Sequence, residues 1–389
     1  MKSAEDEAGA VHQHKMGRFA HTRSEILKKC KRGVSQWGST WPARHGGAIL
    51  VLMIRDFSRL SNRCRIILLS LALLTGCVAK PRHAPQPRGQ EAALIPPSIT
   101  LRLSDGAAIP IRIWPAQGET RAVVLALHGY GDSRDAWEIP APILAEKGIA
   151  VYAPDQRGFG QAPRRGGWSS TKRMVQDAAE EIAWLHRRCP NTPLYIMGES
   201  MGGAVALLLD EMHSPIPVAG TILVAPAIWR FDPGSRLALS ALDAVAPNWT
   251  FTAADVPGEH VATDNLAALR RLYFDPLTLR ESKLHPLRGL VELMAEAREQ
   301  AAHARTPLLV LYGDRDQFIE AGPMANFWRA LPQDARRDLL HGGHHMLLRD
   351  RFGGRATQDI ASWVLTPERL LPSGGDVTAA AWAAGDPGE

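Results

Sequence analysis

Ser200 stands in Gly198-Glu199-Ser200-Met201-Gly202, a G-x-S-x-G spacing able to turn a serine hydroxyl into a nucleophile. Such a serine must sit on a sharp strand-to-helix turn, where neighbouring side chains would collide, and Gly198, Gly202 and Gly203 leave that room. The context fits: the apolar run PLYIM precedes the motif and the helix-forming run AVALLLDEM follows it. A serine also needs a base, and the base needs an orienting carboxylate, in the chain order Ser, acid, His for this kind of turn. After Ser200 the acid is expected on the loop Gly313-Asp314-Arg315-Asp316, which follows a strand-like run. Asp314 directly follows the glycine, where Asp commonly caps a turn; Asp316 lies deeper in the loop and is favoured as the acid. The base is expected in Gly342-Gly343-His344-His345-Met346-Leu347, with His345 favoured over His344 and His341. Three close histidines invite a metal reading, but neither HExxH spacing nor nearby carboxylate ligands accompany them, so no metal is expected.

Acyl transfer builds negative charge on a carbonyl oxygen, which two backbone N–H groups must meet. Met201, the residue after the nucleophile, supplies one. Tyr130, in His128-Gly129-Tyr130-Gly131-Asp132 after the third strand, is expected to supply the other.

Positioning these groups calls for alternating strands and helices. Ile99–Leu103 and Ile109–Trp114 read as an opening pair around an Asp105-Gly106 turn. Ala122–Leu127, Ile149–Ala153, Leu194–Met197, Gly220–Ala225 and Pro307–Tyr312 are short apolar runs, as expected of parallel strands covered on both faces. Thr171–Arg188 and Ala204–Met212 read as helices, and Arg337–His341 as a last strand. The stretch of roughly 80 residues after Ala225 is too long for a structureless loop, so an inserted helical cap is expected. Its first helix is expected over Ser235–Trp249, with Leu239, Leu242, Val245 and Trp249 on one face.

In order, HGYGD, PDQRGFG, GESMGG, the insertion, LYGDRD and HHMLLRD resemble the monoacylglycerol lipase and lysophospholipase family, over about residues 98–365. The resemblance implies an α/β-hydrolase fold: a mostly parallel eight-stranded sheet with helices on both faces and a cap. It implies a serine esterase acting on single-chain acyl esters, monoglycerides or lysophospholipids, with no cofactor. It also implies that Asp316 fills the acid position of the family's G-x-x-D pattern and that His344 takes the aromatic position before the catalytic His345. An acyltransferase, a short-chain carboxylesterase or a thioesterase could use the same triad. A non-catalytic binding module would normally have lost part of it.

Composition narrows the partners. Of 45 Lys/Arg and 40 Asp/Glu, residues 1–76 hold 13 and 5, leaving 32 and 35 for the rest. The basic excess belongs to the N-terminal segment, so a nucleic-acid partner is not expected for the mildly acidic body. Ile66–Leu74 is apolar, follows Arg55, Arg59, Arg63 and Arg65, and ends in Leu74-Thr75-Gly76-Cys77. This is the pattern of a secretory signal peptide, and its end resembles a bacterial lipobox, with Cys77 as the lipidated residue. Met53 lies at the distance from the cleavage site expected of a start. The expected organisation is an extension and signal peptide over 1–76, a Pro-rich tether over 77–97, a core over 98–228 and 305–365, a cap over 229–304, and a mobile tail over 366–389. The expected location is the cell envelope, with the membrane reached through Cys77 and a lipid ester as substrate.

Overall fold

The computed structural model describes residues 92–385 except 212–215, 217, 253–254, 256–259 and 305–306. The signal peptide and Cys77 therefore lie outside the described residues. The core opens with β1 (Ile99–Arg102), β2 (Ala108–Trp114), β3 (Ala122–Leu127), α1 (Pro140–Glu146), β4 (Ile149–Pro154), α2 (Thr171–Arg188), β5 (Leu194–Glu199), α3 (Met201–Glu211) and β6 (Gly220–Val224). The insertion holds α4 (Pro233–Val245), β7 (Thr250–Thr252), α5 (Leu266–Phe274), β8 (Glu281–Lys283) and α6 (Leu284–Gln300). The chain returns through β9 (Leu308–Gly313), α7 (Ala321–Ala330), β10 (Arg336–Leu340), α8 (Gly353–Leu365) and α9 (Gly375–Ala384).

Eight strands form one sheet in the order β1-β2-β4-β3-β5-β6-β9-β10, and β7 pairs with β8 apart from it. β2 runs antiparallel to β1 and β4, and every other pairing in the large sheet is parallel. This is the α/β-hydrolase architecture expected from the sequence. β3, β4, β5, β6 and β9 are buried at every residue, because helices cover both faces and leave no side of the pleat in water. Alternate residues feed two cores. Val123, Leu125, Ile196 and Val310 point into one, with α2, α3, α6 and α7; Val124, Met197, Ile222 and Leu309 point into the other, with α1 and α8.

Four boundaries depart from expectation. The first cap helix ends at Val245, because Pro247 disfavours the helical conformation at Ala246, whose φ is −140°. Val245 is exposed, and Trp249, outside the helix, stacks on Phe251. The cap is also shorter than 229–304: α6 lies along α3, and its Leu293, Met294 and Ala297 belong to the main core. The tail is folded rather than mobile, since α9 packs on β10 with Ala379 buried and Trp382 against Tyr312 and Trp328. Its apolar face was hidden in an Ala-rich run with little contrast between faces. Finally, the end of the expected tether is docked: Ala92 N–H donates to the Phe274 carbonyl and Arg134 to that of Ile95.

Candidate active site

Ser200 follows β5 directly and has φ of 52°, in the left-handed region that non-glycine residues rarely occupy. Such a conformation costs on the order of 1 kcal/mol and persists only where its surroundings enforce it. Here the Ser200 N–H donates to the Val224 carbonyl at 2.9 Å, and the Ser200 carbonyl accepts from Ala204 and Ala227 at 3.1 and 2.9 Å. Two glycines make the turn sterically possible: a β-carbon at Gly198 would run into the Gly202 carbonyl, and one at Gly202 into the Leu127 carbonyl. Ser200 is thus lifted off the end of β5 onto the N-terminus of α3.

Three histidines follow β10, and each has its own aspartate. His341 Nδ1 meets Asp314 Oδ2 at 2.8 Å on the surface, and Asp314 Oδ1 accepts the Gly342 N–H, so Asp314 closes a loop. His344 Nδ1 lies 3.3 Å from Asp350 Oδ2, which also accepts the His344 N–H at 2.6 Å. His345 Nδ1 lies 2.8 Å from Asp316 Oδ2, and its Nε2 lies 3.0 Å from Ser200 Oγ. Among the three, His345 has the hydrogen bond to the serine. Asp316 Oδ1 in turn accepts the Phe318 and Ile319 N–H groups, so its carboxylate is held from both ends.

The His345 side chain is 12% exposed, and Phe318 lies over its ring with centroids 4.9 Å apart. Burial works against the imidazolium, but the Asp316 charge and hydrogen bond, helped by Glu199, outweigh it and hold His345 above the ordinary histidine value. Asp316 therefore fixes the proton on Nδ1 and leaves the Nε2 lone pair towards Ser200.

The loop after β3 that holds Gly129 and Tyr130 lies against Ser200: a β-carbon at Gly129 would stand 3.5 Å from that of Ser200. Tyr130, next along, is in the same loop, and its hydroxyl bonds Ser282 of the cap. Met201 is the first residue of α3, so its N–H has no acceptor within the helix. His128 shapes the loop: its Nε2 accepts the Gln156 N–H at 3.0 Å, which leaves Nδ1 to donate to the Gly129 carbonyl at 2.8 Å.

One part of the site escaped sequence reading. Arg349 NH1 donates to Asp132 Oδ2 at 2.7 Å and NH2 to Glu199 Oε2 at 2.8 Å, with all three side chains buried. Burial pushes the Glu199 carboxyl above its ordinary value, and Arg349 opposes that. Glu199 and Asp132 belong to the motifs already singled out, and only their adjacency to Ser200 and Tyr130 could have drawn attention to them. Asp264, His344 and Asp350 also offer three ligand atoms within 4.8 Å of one another. Both carboxylates there already accept backbone N–H groups, those of Asp264 and His344 on Asp350 and that of Arg351 on Asp264.

The sequence model of Hydrolase_4, described as serine aminopeptidase, S33, matches residues 118–351. Among curated proteins, a monoglyceride lipase of Mus musculus is 27% identical over 272 residues, 67% of this chain and 88% of that one. A monoacylglycerol lipase of Mycolicibacterium smegmatis is 25% identical over 274 residues, covering 67% and 94%. Among solved structures, a soluble variant of monoglyceride lipase from Saccharomyces cerevisiae superimposes with a TM-score of 0.60 at 20% identity, covering 72% of this chain and 98% of that one.

Proposed function

The chain belongs to the Hydrolase_4 family, described as serine aminopeptidase, S33, and from that premise we propose that it is a serine carboxylic-ester hydrolase cleaving single-chain acyl esters, monoacylglycerol or lysophospholipid. The observation that carries the chemistry is the continuous hydrogen-bonded line from Asp316 Oδ2 through His345 to Ser200 Oγ, at 2.8 and 3.0 Å. An ester rather than a peptide substrate is favoured because curated relatives matched over nearly their whole length are monoglyceride lipases.

Ser200 Oγ attacks the ester carbonyl carbon while its proton passes to His345 Nε2. The Tyr130 and Met201 N–H groups hold the oxyanion, and Asp316 stabilises the imidazolium. His345 then gives the proton to the departing alcohol, leaving an acyl group on Ser200. Water, deprotonated by His345, attacks that acyl-enzyme, and collapse releases the acid and restores the serine. Every step uses side chains and backbone groups of this chain, and none needs a cofactor.

We also propose that the chain is exported and held to the cell envelope through lipidated Cys77. The support is the basic segment, the short apolar run and the Leu-Thr-Gly-Cys ending. A lipid anchor keeps the site close to substrates that partition into membranes.

The function is tested by turnover on a panel of monoacylglycerols, lysophospholipids, short p-nitrophenyl esters, acyl thioesters and aminoacyl anilides, with and without an alcohol acceptor. Hydrolysis of the first two groups is expected. Turnover confined to aminoacyl anilides would overturn the ester reading, and acyl transfer to the alcohol outrunning hydrolysis would make the protein a transferase.

A further inference from the structure

The three working parts of the site sit on three separate segments: the oxyanion loop after β3, the turn after β5, and the loop after β10. The ladder between β3 and β5 runs up to Leu127 and Gly198 and brings the first two together, but β10 is separated from β5 by β6 and β9, so something else must set the spacing of the His345 loop against them. We infer that Arg349 is a positioning residue: its guanidinium grips the oxyanion loop through Asp132 and the nucleophile turn through Glu199, from the loop that carries His345. This rests on the hydrolase reading above.

The geometry supports it at each end. Glu199 is the residue before Ser200, and Asp132 is two residues after Tyr130. Arg349 is four residues after His345, on a short turn in which its own N–H donates to the Met346 carbonyl at 2.9 Å. One planar, five-donor cation is suited to this task, because its fork fixes the direction of both carboxylates at once, whereas an ammonium acts as a point charge. The arrangement also reaches the cap. The Arg349 carbonyl accepts from Asn265 Nδ2 at 3.0 Å and Thr263 Oγ1 at 3.3 Å, and Asn265 caps the N-terminus of α5.

Energetics favour position over stability as the reason for the group. Burying a guanidinium and two carboxylates costs several kcal/mol of desolvation per ion, and well-packed apolar side chains often stabilise a fold as well or better. Charge is left over: two carboxylates face one cation. The groups acting on His345 are Asp316 and Glu199, which favour its protonated form, and Arg349, which disfavours it, while the Phe318 ring packs on it without charge. Glu199 is therefore both an anchor for Arg349 and a contributor to the proton affinity of the base.

The test compares Arg349→Met, Arg349→Lys, Glu199→Gln and Asp132→Asn with wild type. Active sites are counted by fluorophosphonate titration and turnover is measured on a p-nitrophenyl ester across pH. Failure of the wild type to label or to turn over would refute the hydrolase reading itself; the variants are read only per labelled site. Arg349→Met should lower kcat roughly 10²-fold, the scale of a misplacement of about 1 Å, with KM little changed. Arg349→Lys should recover part of that loss, since it keeps the charge without the fork. Glu199→Gln keeps an acceptor for Arg349 but removes a negative charge near His345, so the acid limb of kcat/KM should move to lower pH. If Arg349→Met retains kcat per site within about threefold of wild type, a factor too small for a positioning role, the inference is wrong. Should that variant not fold, Glu199→Gln and Asp132→Asn decide: both leaving kcat per site and the acid limb where they are in wild type would equally overturn it.

Discussion

A histidine serves as a base only when something fixes its proton and something else presents the atom it must deprotonate. His341 and His344 each have a carboxylate, yet it is His345 that also meets Ser200 Oγ, at 3.0 Å. Ser200→Ala should therefore lower kcat by about 10⁶-fold, as removal of a serine nucleophile does elsewhere, while thermal unfolding stays unchanged; turnover within tenfold of wild type would remove Ser200 from the mechanism. Asp316→Asn should cost about 10⁴-fold by destabilising the needed tautomer, whereas Asp314→Asn should cost little, because Asp314 only ties its loop to His341 and Gly342. His345→Ala should likewise exceed His344→Ala in assays of purified variants. The pH profile follows from the same geometry. His345 must be neutral to accept the Ser200 proton, and Asp316 holds its proton affinity above the usual value of about 6.5. Activity should then fall as pH drops through a point above that value, read from the acid limb of kcat/KM for the free enzyme. At this scale the sequence was informative because backbone constraint and spacing narrow the choice: a glycine-flanked serine, a post-strand aspartate and a post-strand histidine are each forced to a strand end. Arg349 was not legible, since nothing in HHMLLRD tells a buried cation from an exposed one.

Among the elements, the strands were the most readable and the helices at the edges of the core the least. β3 and α2 span the expected residues, because continuous apolar runs and a clean helical period leave no competing register. α6 was placed with the cap because chain order puts it in the insertion, but packing puts it with the core. Two deletions separate these roles. Removing 231–280 should leave a folded protein with altered relative rates on long and short acyl esters, while extending the deletion through 302 should yield insoluble protein, because the apolar face of α3 loses its cover. Equal solubility of the two products would place α6 in the cap after all. α9 supports a stability prediction. Beneath it, Asp338 of β10 is fully buried, and burial, with the charges of Asp359 and Asp376, pushes its carboxyl up to about 8. The folded state keeps a proton there that the unfolded chain releases near 4, so this group favours folding at low pH and loses that contribution as pH rises from about 4 to about 8. Melting temperature should accordingly fall over that window in wild type and fall less in Asp338→Asn, which keeps the neutral shape. Identical slopes in the two proteins would show that the proton is not held at Asp338.

For the molecule as a whole, the chain divides by charge and composition before it divides by fold. The basic excess is concentrated in residues 1–76, while the remaining 32 Lys/Arg and 35 Asp/Glu leave the body slightly acidic. Such a body gains no electrostatic attraction to anionic lipid, so the proposed attachment to a membrane has to come from acyl chains rather than from a basic face. A single chain gives marginal, reversible binding, and stable anchoring takes two signals, which the several chains of a lipidated N-terminal cysteine would supply. The order seen over 92–98 shortens the expected tether: Ala92 is already bonded to Phe274 at the end of α5, leaving the stretch from Cys77 to Glu91 to reach the anchor. At roughly 3.3 Å per residue when extended, that stretch spans at most about 50 Å, enough to hold the site near a bilayer surface without burying it. Cys77→Ser should release the protein into the soluble fraction or leave it unprocessed, with ester turnover per active site intact because the triad lies beyond the tether. Wild-type protein should fractionate with membranes, carry Cys77 as its first residue and lose membrane association when the acyl chains are cleaved by base. If the variant still fractionates with membranes and the mature N-terminus is a residue other than Cys77, the anchor is wrong while the hydrolase reading is unaffected, since no residue of the site lies before His128.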